Sequence, residues 1–434
     1  NGKRVAVIGG GPAGAFTAYL LAKEGVAVDI FEPRKTRIPA VVGGEKIPPC
    51  TGCAGWVQND VINLLRAYGI QVPASVIQER LEDVAIYLAS DKNQINLHLN
   101  NSTYTVYRGF GPINAEDGPK ESFDAFLLKE AIKAGANHRE VEVNQVDLGT
   151  GKAQVHLFTS DGVRHKADLV IGAFGHNPRL MQNIKYPENS EAMDSPITQR
   201  ASVREYYLGE DEVRQKLQRK IHILGNPTKA IWFSAIVPKR DFISIVVIGR
   251  KDIRPGNYDE FFASTPVVNL LGEGMQGQKP RCACLSTITL HSPSKFIVQG
   301  PEGNMLMVNI GDAGPTRPRD NGIYAALNSA RHKVERLIQF GNSAEAQKSY
   351  KRFIHKTYIE DNFWVDRTLE IIDLVLNHDL PRKTIVYLAT HHVPFISPAV
   401  LEAIKDVVTG SVSYKTIPLK MLDTGIKDLL KRSS

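Results

Sequence analysis

The sequence predicts an α/β fold with a discontinuous first domain built on a parallel sheet, an inserted β-rich domain and a helical C-terminal segment. An apolar run over residues 5–8 leads into a glycine-rich turn and an alanine-rich helix, and a similar pattern returns over residues 305–340. Between them, residues 200–250 and 282–298 show the patterning of strands in a second sheet, with a hairpin over residues 229–250. Residues 341–434 are helical in pattern and poor in strand signals.

These patterns also predict the domain boundaries. A chain of 434 residues is long for one hydrophobic core, so we expect two or three packed units. The first domain is predicted to combine residues 1–85, 110–180 and 299–340, the β-rich domain residues 86–109 and 181–298, and the helical C-terminal region residues 341–434.

The composition is that of a soluble globular protein. Hydrophobic residues make up 42% of the chain and charged residues 23%. No apolar run approaches the roughly 18 residues that span a bilayer. The glycine-rich turn directly follows residue 8, so we expect no signal peptide and a cytoplasmic protein. The amphipathic residues 417–431 either dock on their own domain or contact a membrane surface peripherally.

The net charge of +7 is spread along the chain without a long basic block. No nucleic-acid partner is expected, because no motif interleaves these charges with base-stacking aromatic residues. The basic surface is either simply solvated or suited to an acidic partner, such as a small electron-carrier protein or an anionic lipid surface.

The turn that follows the first apolar run is typical of dinucleotide binding. Gly9 makes the tight turn, Gly11 lets the backbone approach a pyrophosphate, and Gly14 lets the helix pack closely on the strand. Pro12 and Ala13 open the helix, whose N-terminus presents free N–H groups and a positive dipole end. The turn therefore predicts a Rossmann-like unit.

A carboxylate follows the second strand of this unit. The apolar residues 26–31 are closed by Glu32, at the position where ribose hydroxyls would bind. A glycine-rich turn in some other α/β fold would not explain Glu32. We also expect Pro33 and Arg34, which follow it, to line the cofactor.

The second glycine-rich turn predicts a flavin site. The strand over residues 305–310 leads into Gly311 and Asp312, and the carboxylate of Asp312 is suited to accept hydrogen bonds from ribityl hydroxyls. The helix that follows, near Gly322, can face the pyrimidine edge of a flavin with its positive end. Together the two turns resemble the FAD-binding pattern of the para-hydroxybenzoate hydroxylase superfamily.

Further segments narrow this resemblance. They are Pro49–Gly55, Tyr107–Gly109, Ser122–Leu127, Trp232, Pro238–Lys239 and Ile245–Gly249. With them the chain most resembles the geranylgeranyl reductase-like flavoproteins, over about residues 1–340. The resemblance implies that the cofactor is FAD and that Arg108 is one of the residues that bind it. It also implies that the reaction is reduction of carbon–carbon double bonds in a small apolar, isoprenoid-like substrate.

One departure affects the choice of reaction. Where the hydroxylases finish a strand in Ala-Asp-Gly, this chain has Ala173, Phe174 and Gly175, which argues against an NADPH-fed oxygenase. No second dinucleotide unit is visible, so we expect electrons from transiently bound NADPH or from a ferredoxin-like carrier. A flavin-dependent monooxygenase or halogenase of an aromatic or lipid substrate, and a flavin-linked dithiol/disulfide oxidoreductase, stay as alternatives.

The paired cysteines are the predicted catalytic residues. Cys50 and Cys53 either tune the flavin and shape the substrate pocket, cycle as a dithiol and disulfide, or are structural. A four-thiolate metal site with Cys282 and Cys284 is disfavoured by the spacing, so no metal is expected.

Overall fold

The computed structural model describes residues 3–33, 40–42, 45–47, 52–88, 94–109, 111, 121–149, 154–188, 190–254, 256–300, 302–317, 321–391, 393–394, 396–410 and 412–433. Of the predicted site residues, Arg34 and Cys50 lie outside the described residues.

The strands and helices follow one another along the chain. The strands are β1 (Arg4–Ile8), β2 (Ala27–Phe31), β3 (Ala40–Val42), β4 (Glu45–Ile47), β5 (Trp56–Gln58), β6 (Ile77–Leu88), β7 (Gln94–Val106), β8 (Asn137–Arg139), β9 (Val143–Asp147), β10 (Val155–Thr159), β11 (Arg164–Ala167), β12 (Leu169–Gly172), β13 (Ile184–Lys185), β14 (Ile197–Tyr207), β15 (Lys220–Gly225), β16 (Ile231–Pro238), β17 (Phe242–Gly249), β18 (Cys282–His291), β19 (Ile297–Gln299) and β20 (Met305–Asn309). The helices are α1 (Pro12–Lys23), α2 (Asn59–Ala67), α3 (Phe123–Lys133), α4 (Pro178–Gln182), α5 (Glu210–Leu217), α6 (Gly256–Ala263), α7 (Thr265–Leu271), α8 (Gly322–Phe340), α9 (Ala344–Ile354), α10 (Glu360–Asn377), α11 (Asp379–Thr390), α12 (Ile396–Thr409) and α13 (Ile417–Ser433).

These elements form two compact units. Unit 1 comprises residues 1–37, 123–198 and 289–362. Unit 2 comprises residues 38–122, 199–288 and 363–434.

Unit 1 is built on a mainly parallel sheet with the strand order β19-β20-β12-β1-β2-β8. The central strand β1 pairs in parallel with β2 and β12, and β12 pairs in parallel with β20. Residues 5–8 of β1 are all buried, as expected for a parallel strand that is covered on both faces. Because β20 completes a sheet begun at the N-terminus, the predicted discontinuous, Rossmann-like fold is confirmed.

Helix α1 forms the centre of the helical packing in unit 1. It packs against α3 and α8, and every residue from Pro12 to Leu21 is buried. A helix that is apolar all round in this way belongs to the interior. Its N-terminus is therefore held in a defined place beside the sheet.

A smaller sheet, β11-β10-β9-β13, completes unit 1. Asp161 and Gly162 make the turn between β10 and β11, where the Thr159 hydroxyl donates to the Asp161 carboxylate. Val146 and Leu157 are fully buried on this sheet and belong to one apolar cluster with Ile8 and Val170 of the parallel sheet. This shared core fixes the smaller sheet to the first one.

Unit 2 contains a long, mostly antiparallel sheet with the order β18-β14-β17-β16-β15-β6-β7-β5. Strands β16 and β17 form the hairpin expected over residues 229–250, closed where the Lys239 N–H donates to the Phe242 carbonyl. Strand β15 pairs in parallel with β6, which joins the two halves of the sheet. The predicted β-rich region is confirmed as a sheet of its own.

A buried ion pair lies at the turn of this hairpin. The Lys239 Nζ donates to the Glu205 carboxylate, which also accepts from the Ser244 hydroxyl at 2.9 Å. The ammonium group lies 4.6 Å from the centre of the Tyr107 ring. Buried charges are tolerated when they are paired and hydrogen bonded in this way.

The chain after residue 341 is helical, as predicted, from α9 to α13. Between α9 and α10 the helix widens into a π-helical turn over His355–Ile359. Among the described residues, no helix combines the length and the apolar character that crossing a bilayer requires.

The boundaries of the two units fall elsewhere than those of the predicted domains. Residues 38–85 belong to unit 2, because β5 and β6 hydrogen bond to β7 within the long sheet. Residues 289–298 belong to unit 1, where β19 pairs with β20. The predicted functional domains stay a prediction, since a compact unit is not a functional assignment.

Candidate cofactor-binding site

The glycine-rich turn between β1 and α1 has no room for side chains at two of its positions. Gly9 has a φ of +103°, and a Cβ there would lie 2.4 Å from the Ala173 carbonyl oxygen. A Cβ on Gly14 would lie 1.8 Å from the Gly9 carbonyl oxygen. At Gly11, in contrast, a Cβ would meet no atom within 4 Å. The turn is therefore tight on its inner side and open at Gly11.

The open side leads to the N-terminus of α1. Gly11 is the N-cap residue, Pro12 occupies the first turn, and that turn contains no acidic residue. The first N–H groups of a helix have no partner within the helix and carry its positive dipole end. Those of Ala13 and Gly14 therefore make this end of α1 suited to an anion such as a diphosphate.

A carboxylate is fixed beside this turn. Glu32 follows β2 and is buried, and its Oε2 accepts a hydrogen bond from the Gly10 N–H at 2.6 Å. A Cβ on Gly10 would lie 2.7 Å from the Glu32 Cγ. Gly10 is thus a site residue that sequence analysis missed, although it lies between two identified glycines. Pro33 follows Glu32 and is half-buried.

The second predicted turn packs against the first. Gly311–Ala313 form a 3₁₀ turn after β20, and Gly311 has a φ of +58°. The Gly311 N–H donates to the Ser329 hydroxyl of α8, and a Cβ at Gly311 would lie 3.1 Å from the Ala13 Cβ. Asp312 is exposed on this turn. The fold therefore brings the Asp312 turn to the N-terminus of α1, although about 300 residues separate them in the chain.

Helix α8 begins at Gly322, where the sequence predicts a helix. A Cβ on Gly322 would meet no atom within 4 Å, so steric crowding does not require a glycine at this position. The preceding residue, Asn321, is the last residue of the loop and has a left-handed conformation, with a φ of 36°.

A histidine that sequence analysis did not identify lies at the same edge of the parallel sheet. His176 follows β12, and its Nε2 lies 3.3 Å from the Thr289 hydroxyl. Burial lowers the pKa of His176, and the Asp312 carboxylate acts in the opposite direction. His176 and Asp312 are therefore close enough to interact electrostatically.

Two further predicted residues, Cys53 and Arg108, belong to unit 2. Cys53 is a half-buried free thiol whose Sγ accepts from the Gly55 N–H at 3.4 Å. Arg108 is buried, and a Cβ on Gly55 would lie 1.9 Å from the Val106 carbonyl oxygen and 3.4 Å from the Arg108 Cγ. The cysteine segment is thus packed closely on the residues around Arg108.

The same segment is fixed at its other end. Gly52 has a φ of +75°, and its carbonyl accepts from the Ser286 hydroxyl of β18 at 2.5 Å. A Cβ on Gly52 would lie 2.7 Å from the Ser286 Oγ. The backbone on both sides of Cys53 is therefore constrained. Within the described ranges, no group of three or more His, Cys, Asp and Glu side chains could hold a metal ion.

The unit 1 residues fit the chemical groups of FAD. The open, positively polarised end of α1 suits the diphosphate, the buried carboxylate of Glu32 suits ribose hydroxyls, and the exposed carboxylate of Asp312 suits the ribityl chain. The roles of the individual residues stay predictions.

Comparison with known proteins agrees with this geometry. A family model described as an FAD binding domain matches residues 3–313. The geranylgeranyl diphosphate reductase of Synechocystis sp. is 22% identical over 353 residues, which are 79% of this chain and 77% of that protein. The chloroplastic enzyme of the same name from Arabidopsis thaliana is 25% identical over 228 residues, 48% of this chain and 43% of that protein.

Solved structures share the fold. A geranylgeranyl bacteriochlorophyll reductase-like protein from Thermoplasma acidophilum matches with a TM-score of 0.65 at 18% identity, covering 100% of this chain and 98% of that one. The flavin-dependent halogenase CmlS matches with a TM-score of 0.62 at 19% identity, covering 100% of this chain and 78% of that one.

Proposed function

Because the chain belongs to the FAD binding domain family, we propose that this FAD-dependent oxidoreductase transfers hydride to a carbon–carbon double bond of an apolar, isoprenoid-like substrate. The observation that carries the proposal is the match to a geranylgeranyl diphosphate reductase over 79% of the chain. When bound and reduced, FAD supplies the hydride, and a proton from an acid or water completes the reduction of the double bond.

The residues of unit 1 hold the cofactor in this proposal. The N-terminal end of α1, at Gly11 to Gly14, neutralises the diphosphate, and Glu32 accepts from the adenosine ribose. Asp312 binds the ribityl hydroxyls. Support for these roles comes from the tight packing at Gly9 and Gly14 combined with the open space at Gly11.

The residues of unit 2 have separate proposed roles. Arg108 contributes to cofactor binding, and the thiols of Cys50 and Cys53 tune the flavin or shape an apolar pocket that excludes water. The constrained backbone on both sides of Cys53 supports a defined position for its thiol. Electrons come from NADPH or from an acidic ferredoxin-like carrier, which the net charge of +7 favours.

Anaerobic turnover tests the proposal. The purified protein is loaded with FAD, reduced chemically without O2, and mixed with geranylgeranyl diphosphate, other polyprenyl compounds or aromatic compounds. We expect flavin reoxidation that depends on a polyprenyl compound, and a product that has gained two hydrogens per reduced double bond. Products are identified by mass spectrometry.

The fold shared with CmlS defines the competing outcome. A flavin that reoxidises only with O2 and yields an oxygenated or halogenated product would contradict the reductase proposal and support a monooxygenase or halogenase. Flavin reduction that is coupled to oxidation of an added dithiol would support the dithiol/disulfide alternative. The variant Cys53→Ala tests the role of this thiol. Cys284→Ala removes another thiol, on β18 of the long sheet, and is the control for an effect of losing any thiol.

A further inference from the structure

His176 lies at the edge of the parallel sheet where cofactors bind. It follows β12 by four residues, and β12 lies between β1 and β20. The carboxyl ends of parallel strands meet at one edge, which is where ligands of open α/β sheets bind. The close approach of Gly9 to Ala173 places the residues after β12 directly beside the glycine-rich turn.

One ring nitrogen of His176 is buried without a partner. Among the described residues, no group hydrogen bonds to Nδ1, which is shielded from solvent. The other nitrogen, Nε2, lies 3.3 Å from the Thr289 hydroxyl. Buried polar atoms are almost always hydrogen bonded, so an unpaired one indicates a missing partner.

The charge state of the ring follows from its surroundings. Burial lowers the pKa of His176 more than the Asp312 carboxylate raises it. The imidazole is therefore neutral near pH 7, with one N–H and one acceptor nitrogen. When the Thr289 hydroxyl donates to Nε2, the proton is on Nδ1, and the unpaired atom is a hydrogen-bond donor.

A second unpaired polar atom nearby has a different explanation. The Oδ1 of Asn309 on β20 is also buried without a partner among the described residues. A Cβ on Gly172 would lie 2.2 Å from it, and Asn309 has no exposed surface. Asn309 is therefore enclosed between neighbouring strands, whereas His176 is half-buried, beyond the strand end and near Asp312.

We propose that His176 is a positioning residue for FAD, whose Nδ1 forms a hydrogen bond with an oxygen of the bound cofactor while Thr289 fixes the ring through Nε2. The inference rests on the proposed binding of FAD in unit 1, and it is independent of the substrate. In this proposal the cofactor is the missing partner of Nδ1. His176 and Asp312 contact neighbouring positions along the same ligand.

Two substitutions distinguish the roles of the two ring nitrogens of His176. In His176→Asn the side-chain amide lies near the position of Nδ1, and in His176→Gln it lies near the position of Nε2. The dissociation constant of FAD is measured by quenching of flavin fluorescence on the apoprotein. We expect H176Q to weaken FAD binding roughly tenfold, the effect of one lost hydrogen bond, and H176N to stay within about threefold of the wild type.

A control and the thermal midpoint of each apoprotein complete the experiment. His156→Gln changes a half-buried histidine on β10 of the smaller sheet and is expected to leave FAD binding unchanged. Equal weakening of FAD binding by H176N and H176Q, or greater weakening by H176N, would overturn the inference. Such a result is expected if His176 is needed only for its contact with Thr289, because Gln replaces Nε2 better than Asn does. A wild-type protein that does not bind FAD would instead overturn the proposed function, and the inference with it.

Discussion

Gly10 and Glu32 illustrate how a missing side chain and a carboxylate depend on each other. The Glu32 side chain reaches the turn because Gly10 has no Cβ. The N–H of Gly10 then donates to the Glu32 Oε2 at 2.6 Å. Sequence patterns identified Glu32 from its position after a strand. They did not identify Gly10, because its role arises from contact with a residue 22 positions later.

Substitution of Gly10 tests this contact. In Gly10→Ala the new Cβ would lie 2.7 Å from the Glu32 Cγ, so the carboxylate must move. We expect FAD binding to weaken roughly tenfold, as for the loss of a charged hydrogen bond. The FAD dissociation constant is the measurement.

The matched control is Gly256→Ala, because Gly256 begins α6 in open space and in unit 2. FAD affinity should be unchanged in that variant. Unchanged affinity in Gly10→Ala as well would show that the position of Glu32 does not matter for the cofactor.

Lys333 is an ionisable residue in the core of unit 1. It is 0% exposed, its Nζ lies 2.7 Å from the Met305 sulfur, and the Tyr350 ring centre lies 5.3 Å away. Burial lowers the pKa of Lys333 from 10.5 to about 7. Its amine therefore binds a proton more weakly in the folded than in the unfolded protein.

This difference predicts a pH dependence of stability. Between pH 7 and 10.5 the unfolded state binds more protons at Lys333, so this residue makes stability rise with pH across that window, by up to roughly 1.4 kcal/mol per pH unit. Below pH 7 its destabilising effect is fully present. Lys333→Met should raise the thermal midpoint at pH 7 and remove this contribution, as measured by calorimetry from pH 6 to 9.

Lys348→Met is the control, because Lys348 is exposed on α9. Its midpoint should follow that of the wild type at each pH. A Lys333→Met protein that also follows the wild type at each pH would show that Lys333 is not buried as a weak base.

At the scale of elements, the π-helical turn between α9 and α10 is fixed to α8 by one side chain. The Tyr358 hydroxyl donates to the Ala325 carbonyl at 3.2 Å and accepts from the Asn328 amide at 3.2 Å. Burial raises the pKa of Tyr358 to about 12, so the hydroxyl stays protonated and able to donate at neutral pH. The irregular turn thus has a defined position above the helix that follows the Asp312 turn.

Removal of this hydroxyl should weaken the attachment. Tyr358→Phe leaves the Ala325 carbonyl and the Asn328 amide without this partner, at an expected cost of about 1–3 kcal/mol. The result is a lower thermal midpoint for unfolding. Tyr387→Phe, at an exposed tyrosine of α11, should leave the midpoint unchanged. Equal midpoints for Tyr358→Phe and the wild type would contradict a structural role of the hydroxyl.

Local elements were predictable where the signal lies within a few residues. The β1–turn–α1 unit, the β16–β17 hairpin and helix α8 were each identified from apolar spacing and turn residues. The pattern over residues 82–110 indicates strands but not their limits, since this stretch contains residues 82–88 of β6 and all of β7. Those strands pair with register shifts, which a regular alternation does not reveal.

At the scale of the whole molecule, exposed large apolar side chains are concentrated in the C-terminal helices. Examples are Ile371, Leu374, Leu380, Leu419 and Leu422. Exposed apolar residues of this kind are suited to a peripheral contact with a membrane surface, which stays a prediction.

Most residues of the candidate site could be predicted from the sequence. Gly9, Gly11, Gly14 and Asp312 carry their signals in the residues next to them, because turn geometry and helix ends are local properties. His176 carried none. Its relevance comes from Thr289 and Asp312, which lie 113 and 136 positions later in the chain.

Short-range patterns in the sequence are enough to predict the fold class and the two glycine-rich turns, because glycine conformation, helix starts and apolar periodicity act over short distances. Which distant strands become neighbours is settled only on folding, and with it the contacts of Gly10 with Glu32 and of His176 with Thr289. Strand order follows from the burial of whole faces, a property of the assembled sheet that no short stretch of chain contains.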